Sequence, residues 1–197
     1  MVFFTQFLKI LIKNNAIFLH FSTFVAVLEI ATQNLNIMKR FFVSLVLTCA
    51  FVLCYAQVPS ITLKDINGNP VQTDTLNNGG KPFIIDFFAT WCKPCNRELD
   101  AIAEVYDQWR EETGVKIYAV SIDQAQNINK VKPLVDNHGW EYDVLLDPNS
   151  DLKRALGIQM IPYVLIVDGN GKIVYKHNGY TDGAETELID KVRELIK

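Results

Sequence analysis

Apolar positions recur in two periods along residues 57–197, and the changes of period mark the expected elements. Pro59 to Leu63 alternates apolar and polar and reads as a strand. Asn67-Gly68 is a tight-turn signal, and Pro70-Val71-Gln72-Thr73 returns as a second strand. After the break Gly79-Gly80-Lys81-Pro82, the run Phe83-Ile84-Ile85-Asp86-Phe87-Phe88 is apolar but for one acid, the pattern of a central strand covered on both faces. From Asn96 to Arg110 the period lengthens, and Leu99, Ile102, Tyr106 and Trp109 share one helical face. Val115 to Ile122 reads as a strand. Asn127 to His138 reads as a helix with Val131, Leu134 and Val135 inward; Pro133 inside it implies a kink or a later start. Tyr142 to Leu146 is a short strand and Ser150 to Leu156 a small helix. Val164 to Val167 and Ile173 to Tyr175 flank Asp168-Gly169-Asn170-Gly171 as a hairpin. A last helix is expected from Asp182, with Glu185 completing a capping box and Leu188, Ile189, Val192, Leu195 and Ile196 as its stripe. The order gives an α/β fold, a sheet with helices on both faces.

The first 56 residues follow a different pattern. Met38-Lys39-Arg40, the apolar run Phe41 to Leu53, and the small Ala56 before Gln57 describe a secretory signal peptide cleaved after Ala56. On this reading residues 1–37 are a mis-called N-terminal extension, 38–56 the signal and 57–197 one domain. A membrane helix around Ala16 to Thr32 competes with it, but contains His20 and Glu29 and falls short of the roughly 20 apolar residues of a span. A lipid anchor at Cys49 is disfavoured by the bulk of Thr48. The expected location is therefore the periplasm or cell envelope, with anchoring by an uncleaved N-terminus as the alternative.

Removing this segment changes charge and cysteine content. It carries four of the 19 basic and one of the 22 acidic residues, so residues 57–197 have a net charge of −6. That balance argues against nucleic acid, whose phosphates call for clustered Lys and Arg. Cys49 and Cys54 leave with the segment, and Cys92 and Cys95 remain as the one thiol pair.

Trp91-Cys92-Lys93-Pro94-Cys95 places two sulfurs within bonding reach at a helix start. A thiol attacks a disulfide as thiolate, and free cysteine titrates at about 8.5, so an exchanger at neutral pH must lower that value. A helix N-terminus does so for Cys92, and Lys93 acts in the same sense. Pro94 is tolerated in the first turn and stiffens the loop. Cys95, one turn in, is expected to be the more buried and resolving thiol. A zinc site wants four ligands, and neither a second pair nor a useful spacing of His138 and His177 supplies them. An inert bridge closing so short a loop constrains the unfolded chain little. Asp86, in an apolar strand six residues before Cys92, is a candidate proton shuttle for Cys95, its pKa raised by burial. The competing reading has it facing a polar cavity or bonded to a neighbouring strand. Ile161-Pro162 precedes a strand, and an ordinary X–Pro bond there is expected to be trans.

Phe83 to Cys95 resembles the active-site strand and helix start of thioredoxins. Residues 58 to 197 resemble the TlpA/ResA-like branch of secreted thiol–disulfide oxidoreductases. This implies a thioredoxin-like fold: a central mixed sheet flanked by helices, with an N-terminal hairpin and an insertion between Asp123 and Leu156. It also implies that Pro162 is cis and packs on the sulfurs, that substrate runs along Ile161, and that Trp91 shapes the site. Thr90 and Lys93 lie at positions that vary in the family and set the redox potential. Many members carry another residue where this chain has Asp86. The implied function is exchange of a Cys92–Cys95 disulfide with client proteins, as a reductase of the cytochrome c maturation type. A membrane electron donor would recharge it, no cofactor or metal is needed, and the chain would be a monomer. The alternatives within the fold are a peroxiredoxin-type peroxidase and a copper chaperone. The first expects proline and threonine seven and three residues before its cysteine, where this chain has Ile85 and Ala89. The second expects cysteines four apart plus a later histidine, and His177 is the one at hand.

Overall fold

The computed structural model describes residues 57–197. The expected extension, the signal segment with Cys49 and Cys54, and the Ala56 cleavage point lie outside the described residues.

The leading hairpin pairs β1 (Thr62–Asp65) with β2 (Pro70–Gln72), antiparallel, with Leu63 opposite Val71. Asp65 builds its turn by accepting the Asn67 and Asn69 backbone N–H groups, each at 2.8 Å, while Gly68 takes φ +91°. β1 begins later than the alternation at Pro59 implies. The reason is Thr73, whose hydroxyl accepts the Ile61 N–H at 3.0 Å and donates to the Pro59 carbonyl. A side chain thus takes over the bonds a ladder would have made there.

The centre of the molecule is β3 (Phe83–Phe88), all six residues of which are buried. It runs parallel to β4 (Lys116–Ser121) and antiparallel to β6 (Tyr163–Val167). With β5 (Asp143–Leu146) and β7 (Ile173–Asn178) the sheet has seven strands in the order β2-β1-β5-β4-β3-β6-β7. β7 extends past the expected Tyr175, so His177 lies within a strand rather than beyond it.

Helix α1 (Lys93–Thr113) links β3 to β4. It starts three residues before the apolar period does, because Cys92 caps it and Pro94 fits its first turn. It ends at Gly114, φ +67°, whose N–H donates to the Arg110 carbonyl at 2.9 Å. Cys95, Leu99, Ile102, Tyr106 and Trp109 fill its buried face. Helix α2 (Val131–His138) follows a 3₁₀ turn at Ile128–Lys130. It starts four residues later than Asn127, which makes Pro133 its third residue, where no intrahelical N–H bond is required. Helix α3 (Asp151–Ala155) is capped from outside by Asp147, which accepts the Asp151 and Lys153 N–H groups at 2.6 and 3.0 Å.

Helix α4 (Glu185–Leu195) corrects the capping box expected at Asp182. Ala184 precedes the helix without a side-chain cap, and Glu185 instead accepts from Gly183 N and Tyr180 Oη, both at 3.1 Å. Leu188, Ile189 and Val192 are buried, but Leu195 and Ile196 are exposed and drop out of the expected stripe. Glu112 of α1 and Arg193 of α4 form a two-pronged ion pair, both prongs at 2.6 Å.

One glycine is demanded by contact. A Cβ on Gly169 would stand 1.9 Å from the Gly80 carbonyl oxygen. Gly169→Ala is therefore expected to cost about 1–3 kcal/mol through overpacking. Urea denaturation reads this as a lower midpoint at unchanged slope; an unchanged midpoint would mean the two loops separate freely.

Candidate active site

The site is assembled at the carboxyl end of β3. Cys92 N–H donates to the Ala89 carbonyl at 2.9 Å, closing a tight turn between strand and helix. Cys92 Sγ is bonded to Cys95 Sγ at 2.03 Å, so the structure holds the oxidised form. The same Cys92 sulfur accepts the Cys95 backbone N–H at 3.3 Å. The Cys92 sulfur thus takes up a first-turn N–H that has no partner within the helix, at the end where the helix dipole favours negative charge. Cys92 keeps 6% of its surface and Cys95 none, so Cys95 is the more sheltered residue of the pair. Lys93 and Pro94 are exposed beside them. Trp91 is 64% exposed, unusual for so large a ring, and one wall of a 570 Å³ groove. Thr90, Asn127, Lys130, Pro133, Leu134 and Asn137 line the rest of it.

The Ile161–Pro162 peptide is cis. This corrects the trans bond expected from the local sequence and agrees with the family resemblance. Phe87 faces Tyr163 in the β3–β6 register, so Pro162 lies one step further on, beside the strand end that leads to Cys92. The Pro162 carbonyl accepts the Gly179 N–H at 2.9 Å.

Asp86 is fully buried in mid-strand, and neither carboxyl oxygen has a hydrogen-bond partner among the described residues. The reading in which it bonds a neighbouring strand therefore fails. Desolvation pushes its pKa up to about 8.

Glu98 was not among the residues expected at the site. It stands three residues after Cys95 and four before Ile102, on the inward face of α1. It too is fully buried, with both carboxyl oxygens unpartnered among the described residues. Burial, then the charges of Asp86 and Glu185, push its pKa up to about 10. The signal was present in the sequence: a charged residue at a position that the spacing of Cys95, Leu99 and Ile102 assigns to the core. Tyr142 completes the surroundings, buried, its hydroxyl donating to the Leu99 carbonyl at 2.7 Å and its pKa raised by burial and by Asp86.

Comparison with known proteins agrees with this geometry. The family model described as "AhpC/TSA family" matches residues 55–176. The chain belongs to that family. Within it, the chain is a ResA/TlpA-like thiol–disulfide oxidoreductase with a thioredoxin-like fold and a Cys92–Cys95 pair. It is 28% identical to the thiol-disulfide oxidoreductase ResA of Halalkalibacterium halodurans over 72% of this chain and 76% of that one. An uncharacterized thioredoxin-like protein from Porphyromonas gingivalis shares 65% identity, with a TM-score of 0.65, over 72% of this chain and 93% of that one. A putative thiol:disulfide interchange protein DsbE from Chlorobium tepidum shares the fold at 21% identity and a TM-score of 0.63, over 73% of this chain and 97% of that one.

The alternatives raised by the sequence find less support in this AhpC/TSA member. Ile85 and Ala89 are both fully buried, and neither offers the hydroxyl or the proline of the peroxidase motif. His177 stacks on Tyr175 within β7, with its Nδ1 3.4 Å from the Tyr175 hydroxyl. Among the described residues no three His, Cys, Asp or Glu side chains group closely enough to hold a metal ion.

Proposed function

We propose that this oxidoreductase is exported to the cell envelope and works there as a reductase of client disulfides, in the manner of cytochrome c maturation. The observation that carries the exchange chemistry is the asymmetry of the two cysteines: Cys92 caps α1 and accepts a first-turn N–H, while Cys95 is fully buried.

In the reduced protein the Cys92 thiolate attacks a client disulfide. A Cys92–client bond forms and one client thiolate leaves. Cys95 then gives its proton to Asp86 in its ionised form and attacks Cys92 Sγ, which releases the second client sulfur and restores the bridge. Two electrons pass from the protein to the client. Burial raises Asp86 well above the ordinary carboxylate range, so its ionised form is a stronger base than an exposed carboxylate. Lys93 supports the Cys92 thiolate, Pro94 keeps the loop stiff, and Trp91 shields the outer side. Client backbone runs along Ile161, with Pro162 orienting it toward the sulfurs. No cofactor takes part. A membrane electron donor restores the dithiol, and the chain acts as a monomer. Among the described residues no helix is long and apolar enough to cross a membrane.

The direction of electron flow is tested by the reduction potential. A value on the order of −250 mV or lower is expected; one near −120 mV would make the protein an oxidant. Cys95→Ala is expected to accumulate a mixed disulfide with client protein, seen as a thiol-sensitive adduct on non-reducing gels. Absence of any adduct with a disulfide substrate would remove Cys95 from the resolving role.

A further inference from the structure

We propose that Asp123 is a positioning residue for this exchange: its carboxylate holds Thr90 and thereby keeps the turn carrying Trp91 and Cys92 in the orientation that sets Cys92 Sγ against the first turn of α1. The inference rests on the assignment of Cys92 as the attacking thiol.

Asp123 lies just past the end of β4, at the root of the insertion and 31 residues from Cys92, and is 1% exposed. Its carboxylate accepts three hydrogen bonds. Thr90 N–H reaches Oδ2 at 2.7 Å, Thr90 Oγ1–H reaches Oδ1 at 2.7 Å, and Ser121 Oγ–H reaches Oδ2 at 2.9 Å. The Ser121 hydroxyl in turn accepts the Asp123 N–H at 3.1 Å, so the carboxylate is itself held in place. Nothing in the fold alone calls for this. The β4 ladder passes its last bond from Ile122 N–H to the Phe88 carbonyl at 2.9 Å, which leaves Thr90 beyond the sheet. The side-chain clamp takes over where the ladder stops.

Thr90 is also the point where the clamp meets the helix. Its carbonyl accepts the Asn96 Nδ2–H at 3.4 Å, and Asn96 N–H donates to the Cys92 carbonyl at 3.1 Å. The two-residue step from Thr90 to Cys92 is thus tied to β4 at one end and to the first turn of α1 at the other. Two convergent bonds to one carboxylate fix both position and rotation, which a single bond does not. Thiolate stabilisation by a helix N-terminus depends on where the sulfur sits, and small misplacements of reacting groups are costly.

Four variants test this: Asp123→Ala, Asp123→Asn, Thr90→Val and Thr90→Ser. An asparagine amide can accept Thr90 N–H and donate to the rotatable Thr90 hydroxyl, so it keeps the clamp without the charge. Serine keeps both donors of Thr90. The readouts are the pH dependence of Cys92 alkylation in the reduced protein and the rate of disulfide exchange. Asp123→Ala is expected to move the alkylation midpoint upward and to slow exchange about tenfold, with Thr90→Val giving part of the same shift. Asp123→Asn and Thr90→Ser are expected to stay within about twofold of the parent, since both keep the bonds. Equal downward shifts in Asp123→Ala and Asp123→Asn would show a bare charge effect and overturn the proposal. Parent-like profiles in Asp123→Ala and Thr90→Val would overturn it as well. Should Asp123→Ala fail to fold, Thr90→Val against Thr90→Ser decides: a shift in the first alone supports the clamp, and no difference between them refutes it. A Cys92→Ser protein that still exchanged disulfides would instead refute the assignment of Cys92.

Discussion

Replacing Cys92 with serine is expected to abolish disulfide exchange, lowering the rate of insulin-disulfide reduction by roughly a thousandfold or more. The reason is chemical before it is structural. A serine hydroxyl does not ionise near neutral pH and forms no bond to sulfur that a second thiol then displaces. The geometry explains why Cys95 cannot substitute. Cys92 is the less buried residue of the pair and its sulfur accepts the first-turn N–H; Cys95 has no surface to offer a client. Fold and stability should survive, because the bridge closes a loop of only three residues' separation and so restrains the unfolded chain little. The measurement is therefore clean: turnover collapses while the thermal midpoint of the reduced protein stays put. Retained turnover in Cys92→Ser would exclude it as the attacking group.

The cysteines, the central strand and the helix after it were legible in the sequence because each rests on a local signal. A six-residue apolar run, a turn of fixed spacing and a helical stripe need no knowledge of what lies across the sheet. What the sequence hid was set by distant groups. Thr73 moved the start of β1 by reaching back to Pro59 and Ile61. Asp147 capped α3 from outside the helix. Nothing in the sequence near Asp123 says that its carboxylate closes on Thr90, 33 residues earlier. Pro162 fell between: its local sequence points to trans, and only likeness to a family pointed to cis. Glu98 is the instructive omission. The spacing of Cys95, Leu99 and Ile102 puts it on the inward face of α1, where a charged residue is out of place. A buried charged residue beside a reactive centre is better taken as a candidate.

Asp86 carries the second large expected effect, which links stability to chemistry. Its carboxyl is buried without a partner and its pKa stands near 8, against 3.8 for the ordinary group. Between those values the folded protein keeps a proton that the unfolded chain gives up. The unfolded state then binds fewer protons, so stability falls as pH rises. The contribution is fully present below about 4 and is lost progressively up to the folded value near 8. The slope for one such group is about 1.4 kcal/mol per pH unit. Glu98, raised for the same reason and further by Asp86 itself, adds to the fall in the same direction. Asp86→Asn removes the titrating group and keeps its shape. It is expected to raise stability at pH 7 to 8 by about 2–4 kcal/mol and to flatten the decline between pH 5 and 8. Urea denaturation across that range reads both. The same variant loses the ionised fraction of Asp86, the form that accepts the Cys95 proton, so resolution of the mixed disulfide should slow, most of all near pH 8, while the first attack by Cys92 does not. A more stable protein that stalls as the mixed disulfide is the combined signature. If Asp86→Asn gained no stability, the acid would have to be solvated or paired in solution. If it gained stability yet resolved at the parent rate, the Cys95 proton would have to leave by a route that does not pass through residue 86.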